Sequence, residues 1–325
     1  MNRREFLRRS SIVAASGLFA RSRLLAAATA PTPAGRPPGQ VGANFGEFRP
    51  LRRDVGVFVG RGGTIAWLAS NGALAVVDTQ FPDTAAMCLA GIPGRAGRTV
   101  DVVLNTHHHA DHTSGNPTFR PVARTIVAQA NVPRLQFEAA RRAEASGKPG
   151  LPLRLDQQVY ADTTFAEVWR HELGDEVVTA QYFGPAHTGG DAVVMFERAN
   201  VVHVGDLVFN RLYPVIDRVA GGSVKGWIKV LEEVARAYPQ DATYVFGHGS
   251  SKFGIVGSHA DLVVMRDYWS AVLARVEKEI AAGRSRAEIA GLGNLDGFPD
   301  FHTSPPNRLA DNLAAAYDEL TATRG

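Results

Sequence analysis

The sequence predicts an α/β protein, and three observations carry that prediction. Short apolar runs ending in turn or polar residues alternate with amphipathic helical stretches. Strand, helix, strand in succession implies helices laid on the faces of a sheet. Gly60-Arg61-Gly62-Gly63 and Asn71-Gly72 separate three early apolar runs, as tight connections between antiparallel strands do. A hydrophobic content of 45% with 33 glycines suits a compact chain with many turns.

In chain order, Asn2-Arg3-Arg4-Glu5-Phe6-Leu7 precedes an apolar run from Ser11 to Ala20, and Ala26-Ala27-Ala28 and Ala28-Thr29-Ala30 are small-x-small cleavage candidates. Residues 1–28 therefore read as a bacterial twin-arginine export signal, cleaved after Ala28 and directing the protein to the periplasm through the twin-arginine machinery. The first 28 residues hold six arginines and one acid, so their removal takes the formal charge from +3 to about −2. Net charge thus makes no case for nucleic acid as a partner. No apolar run reaches the ~18–20 residues of a membrane-spanning helix. Cys88 is the one cysteine; it cannot form an internal disulfide and reads as core packing in an apolar helix pattern. Residues 29–50, rich in Pro, Gly and Arg, read as a linker.

Strands are expected at 55–59, 64–68 and 73–78, then a helix over 82–92. Arg61 and Trp67 lie near the first turns, with ordinary surface and core roles as the expectation. A strand at 100–104 follows, another around 124–128, and a helix over 131–145. Residues 146–150 break the pattern and lead into a stretch expected near the entrance to a site. Further strands are expected at 177–183, 192–196, 201–204 and 243–246, and helices at 223–238, 258–282 and 306–322. In the long helix, Leu262, Met265, Tyr268, Trp269, Val272, Leu273, Val276 and Ile280 recur at three-to-four spacing.

The chemistry gathers at Asn105-Thr106-His107-His108-His109-Ala110-Asp111-His112, directly after the strand at 100–104. Side chains alternate along an extended chain, so His107 and His109 project to one side and His108 to the other. Neutral imidazole and carboxylate are ligands for zinc and similar metals. Three further apolar strands end in ligand-type residues. His187 lies in Gly184-Pro185-Ala186-His187-Thr188-Gly189-Gly190-Asp191, Asp206 ends the run from Val201, and His248 ends the run from Thr243. A buried carboxylate such as Asp206 is costly without a cation beside it. His203 lies inside its strand and reads as a packed residue; His171, His259 and His302 have no ligand-like context.

The pattern His107-x-His109-x-Asp111-His112, followed by His187, Asp206 and His248, resembles the metallo-β-lactamase superfamily over about residues 50–250. The resemblance implies an αββα sandwich over 51–250, with 251–325 as a C-terminal helical extension packed on the core. It implies one metal on His107, His109 and His187, a second on Asp111, His112 and His248, and Asp206 as the bridge. Two zinc ions are expected, with iron or manganese as alternatives. The implied activity is hydrolysis of an ester, thioester, lactone or amide in a small-molecule substrate by a metal-bridging hydroxide, with Asp111 and Asp206 as the catalytic carboxylates. Aspartate at 206 resembles the glyoxalase II, lactonase and phosphodiesterase branches, whereas zinc β-lactamases place cysteine or serine there. β-Lactam hydrolysis, an iron-dependent sulfur oxidoreductase and an accessory protein of a periplasmic quinoprotein system are the competing readings. Asn210, Arg211, Tyr213 and Lys225 follow Asp206 and are candidates for touching substrate.

Overall fold

The structure, a computed structural model, describes residues 46–147, 154–302 and 308–322. The export signal at 1–28 lies outside the described residues, as does most of the 146–150 break. Among the described residues, seven strands form the first sheet: β1 (Glu47–Arg52), β2 (Val55–Val59), β3 (Ile65–Ala69), β4 (Leu74–Val77), β5 (Val100–Asn105), β6 (Ala123–Gln129) and β7 (Thr163–Phe165), adjacent in that order. The first four pair antiparallel; β4 to β7 run parallel. The second sheet has six strands among the described residues. In chain order they are β8 (Val168–Leu173), β9 (Glu176–Tyr182), β10 (Ala192–Phe196), β11 (Val201–His203), β13 (Thr243–Val245) and β15 (Val256–Gly257). Only β11 and β13 are parallel there. β12 (Phe209–Asn210) and β14 (His248–Gly249) make a separate parallel pair.

Side-chain alternation sorts the apolar residues into layers. Val57, Ala66, Leu68, Ala75, Val77, Val102 and Leu104 of the first sheet meet Val178, Ala180, Val194, Phe196, Val201 and Val245 of the second in one buried cluster. Phe58, Ile65, Trp67, Val76 and Val103 face the other way. They are covered by α1 (Pro82–Gly91), which supplies Ala85 and Cys88, and α3 (Asn116–Phe119), which supplies Phe119. α2 (Ala110–Thr113) and α4 (Val132–Ala145) complete that half. Val193 and Val202 face outward from the second sheet, onto α5 (Val224–Ala237), α6 (His259–Ala281), α7 (Arg286–Ala290) and α8 (Arg308–Thr321). Trp227 of α5 and Trp269 of α6 are fully buried with ring centroids 4.9 Å apart, and Trp227 Nε1 donates to Leu207 O at 2.9 Å. The layers are helices, sheet, sheet, helices, with α6 to α8 as the C-terminal addition.

The expected linker at 29–50 is shorter than its composition suggested. Glu47–Arg52 forms an edge strand, paired from Glu47 opposite Val59 to Arg52 opposite Val55. Its Pro50 and arginines are tolerated because an edge strand leaves one side free of ladder bonds. Cys88 is buried, and burial pushes its thiol well above the usual range.

Candidate metal centre

The site lies where parallel strands end. β4, β5 and β6 share a direction, so their carboxyl ends lie together; β11 and β13 do the same in the second sheet. Loops leaving the carboxyl ends of parallel strands are where α/β sheets place ligands. His107 to His112 follow β5, Asp206 follows β11, His248 follows β13, and His187 lies in the turn between β9 and β10.

Two donor groups form there. His107, His109, His187 and Asp206 place one donor atom each within 4.8 Å of one another, as do Asp111, His112 and His248. In the first group, His109 Nδ1 lies 3.1 Å from His107 Nε2 and 2.9 Å from His187 Nε2. In the second, His248 Nε2 lies 3.1 Å from Asp111 Oδ2. Asp206 stands between them. Its Oδ2 is 3.5 Å from His187 Nε2, 3.8 Å from His107 Nε2 and 3.4 Å from His248 Nε2, and its Oδ1 is 3.1 Å from His112 Nε2. All seven sequence-predicted ligands are thus brought together.

The outer nitrogens fix which atom of each ring faces inward. His187 Nδ1 donates to Val215 O at 2.7 Å, His112 Nδ1 to Asp78 Oδ2 at 2.7 Å, and His109 Nε2 to Asp217 Oδ2 at 3.1 Å. Thr106 Oγ1 also donates to Asp78 Oδ2, so His107 Nδ1, 3.1 Å from that hydroxyl, donates to it. Such partners set the tautomer and aim the lone pair at the centre. The sequence marks Asp78 only as the end of a strand and does not single out Asp217. Asp78 sits at φ 63°, a left-handed conformation costly for a residue with a side chain. It backs two rings at once. His108 points away from the two donor groups; it lies with His109 and Asp217 in a third grouping, its Nε2 3.5 Å from Asp217 Oδ2.

A metal fits this donor set. Four ligands at ~2.0–2.1 Å in a tetrahedron lie ~3.3 Å apart, and the donor separations bracket that figure. His112 Nε2 and Asp206 Oδ1 are buried 3.1 Å apart, with no hydrogen bond formed between them or to any other described residue, which is costly unless a cation meets them. Burial, reinforced by neighbouring imidazoles, holds His107 well below the usual histidine range and His187 down at about 3, so both are neutral at pH 7. Burial opposes ionisation of Asp206 as well, but His248 and His112 outweigh it and hold the carboxyl well below its ordinary range.

Backbone proximity makes the packing possible. A Cβ at Gly63 would stand 2.1 Å from the His112 ring, and one at Gly247 would stand 1.9 Å from Asp206 Oδ1. The donors open onto a cavity of about 440 Å³ lined by Phe209, Leu212, Tyr213, Val215 and Arg308 beside the ligands. Phe209 stacks on His248 with centroids 5.1 Å apart. Of the substrate candidates, Tyr213 reaches this cavity. Asn210 is buried outside the cavity lining and donates to Gly254 O at 3.0 Å, and Arg211 is held by Asp261 at 2.8 Å and by Asn210 at 2.7 Å. Lys225 lies outside the cavity lining, in the first turn of α5, and Arg61 pairs with Asp83 at 2.7 Å on the surface. His203 is buried, with Nε2 donating to Thr64 O at 3.0 Å.

Residues 59–248 match the metallo-beta-lactamase superfamily, more than half of the chain. The chain belongs to that superfamily. A metallo-beta-lactamase from Pontibacter korlensis is similar in structure, with a TM-score of 0.55 at 18% identity over 69% of this chain and 98% of its own. One from Hirschia baltica gives 0.54 at 16% identity, over 69% and 97%. A double mutant of the sec-alkyl sulfatase PisA1 gives 0.61 at 16% identity, over 84% of this chain and 50% of its own. At such identities the likeness is one of fold. No curated protein matches the sequence.

Proposed function

We propose that this chain is a hydrolase of ester, thioester, lactone or amide bonds that works with two zinc-like ions. One observation carries the reading: a single buried carboxylate, Asp206, faces both donor groups, with Oδ2 toward His187, His107 and His248 and Oδ1 toward His112. His107, His109 and His187 would hold one ion, Asp111, His112 and His248 the other, with Asp206 shared. When bound, such ions supply Lewis acidity, which makes a nucleophile available from water near pH ~7 and polarises the acyl group. The protein's own contribution is positional. Asp78, Asp217 and Val215 O hold the rings; Phe209, Leu212, Tyr213 and Val215 give the substrate an apolar wall. Asp111, part-exposed at the cavity, is placed to pass a proton to the leaving group.

Purified mature protein is expected to carry close to two zinc-like ions per chain by elemental analysis, and to turn over members of an ester, thioester and lactone panel faster than β-lactams. Asp206→Asn removes the charge shared between the two donor groups. It should lose at least one ion and lower kcat by more than ~100-fold with little change in KM. A native protein far faster on a penicillin or carbapenem would replace the branch assigned here. Iron with oxygen-dependent turnover of a persulfide would replace the hydrolase reading.

We also propose export by the twin-arginine route, supported by Arg3-Arg4 ahead of the apolar run. Replacing both arginines with lysine should strand the precursor in the cytoplasm of an expressing bacterium. Unchanged periplasmic yield of that variant would count against it.

A further inference from the structure

The cavity beside the donor groups carries one lysine or arginine side chain among its described lining residues, Arg308, and it comes from outside the part of the chain that matches the superfamily. Arg308 opens α8, the last described helix. Its carboxylate neighbour is Asp311, 4.0 Å away with a side chain 68% exposed. A pair that long and that wet holds a guanidinium only weakly. Among the described residues no hydrogen bond engages the guanidinium. The contrast with Arg211 is direct, since Asp261 and Asn210 occupy that side chain.

The mount is firm. Leu309 and Leu313 of α8 are buried, Asn312 is fully buried within hydrogen-bonding distance of Tyr268 at 2.7 Å, and Tyr213 of the cavity lies against Tyr268 with centroids 5.9 Å apart. The start of α8 is therefore braced against the same aromatic group that shapes the cavity wall. Apart from the donor groups and Arg308 the described lining is apolar: Ala110, Phe209, Leu212, Val215 and the Tyr213 ring.

From this arrangement we infer that Arg308 selects substrates carrying an anionic group, separated by an apolar segment from the bond that is cleaved. An arginine fork grips the paired oxygens of a carboxylate, sulfate or phosphate, and does so strongly where water is partly excluded. The inference rests on the hydrolase reading for the position of the labile bond; the anion subsite rests on Arg308 alone.

Two measurements separate them. In the first, native protein, Arg308→Gln and Arg308→Lys are compared on a half-ester of a medium-chain dicarboxylic acid and on the neutral diester of the same acid. The ratio of kcat/KM for half-ester over diester should fall at least ten-fold in Arg308→Gln, carried by KM, and return in part in Arg308→Lys. In the second, hexanesulfonate, an anion on an apolar chain with no ester to cleave, is titrated calorimetrically into each protein. Native protein should bind it, more weakly as salt rises, and Arg308→Gln should bind at least ten-fold more weakly. Metal content and melting temperature of each variant establish that the fold is kept. If neither ester is cleaved but hexanesulfonate binding depends on Arg308, the subsite stands and the hydrolase reading falls. An unchanged selectivity ratio, or equal sulfonate binding in native protein and Arg308→Gln, overturns the subsite.

Discussion

A methyl group at position 247 would stand 1.9 Å from Asp206 Oδ1, a distance no side chain tolerates. The glycine is there so that the backbone after β13 can lie against the shared carboxylate; Gly247 N also donates to Gly205 O at 2.8 Å, at the end of the neighbouring β11. Gly247→Ala should therefore displace Asp206 and remove at least one ion while the protein stays folded. Elemental analysis beside a circular dichroism spectrum checks it, and a variant with both ions in place would show that the contact relaxes harmlessly. The run from His107 to His112 was legible in the sequence because metal chemistry admits few residue types, and His187, Asp206 and His248 were legible through the resemblance to the superfamily's pattern. Their supports were not. Asp78 and Asp217 become meaningful only through rings 34 and 108 residues away, and a lone aspartate at a strand end or in a loop has many other uses. Arg211 misled for the same reason. It follows Asp206 closely, which looks right for a substrate contact, and the partner that claims it, Asp261, is 50 residues on.

Elements buried on both faces announced themselves, whereas edge strands did not. β3, β4 and β5 are apolar on both sides because one face meets the second sheet and the other meets α1 and α3. β1, β7 and β8 lie at sheet edges and are largely exposed, so their sequences show no clean alternation. The C-terminal helices were legible as amphipathic stretches, but their connection to the site was not. Glu319 of α8 accepts from Ser223 Oγ at 2.8 Å and from Val224 N and Lys225 N at 2.8 and 3.1 Å, and pairs with Arg218 at 2.8 Å. One carboxylate thus caps α5 and ties down the segment that carries Asp217 and Val215, the supports of His109 and His187. Hydrogen bonds to a charged group are worth ~1.5–3 kcal/mol. Glu319→Ala should cost about 2 kcal/mol in denaturant unfolding and weaken metal retention under mild chelation. Loss of stability with metal retention untouched would confine Glu319 to capping.

Across the whole molecule the donors are distributed between the sheets. His107, His109, Asp111 and His112 follow the first, while His187, Asp206 and His248 leave the second. Protein bonds also cross there: Thr64 N donates to Gly247 O at 2.9 Å and Ala192 N to Thr106 O at 2.8 Å. Ions bound across that seam would clamp the two sheets together. Ligand at ~1,000 times its Kd adds ~4 kcal/mol to stability, so exhaustive chelation should lower Tm by roughly 10 °C, recovered on adding zinc. A Tm indifferent to chelation would mean the seam is closed by protein contacts alone. The donors come from residues 107–248, while Arg308 on the cavity wall belongs to a helix beyond the superfamily match. Inheritance can act on the two separately. Drift or exchange in the residues after 248 would retune which molecules are accepted without disturbing the machinery that breaks them, so close kin of this chain can diverge in diet while keeping one chemistry.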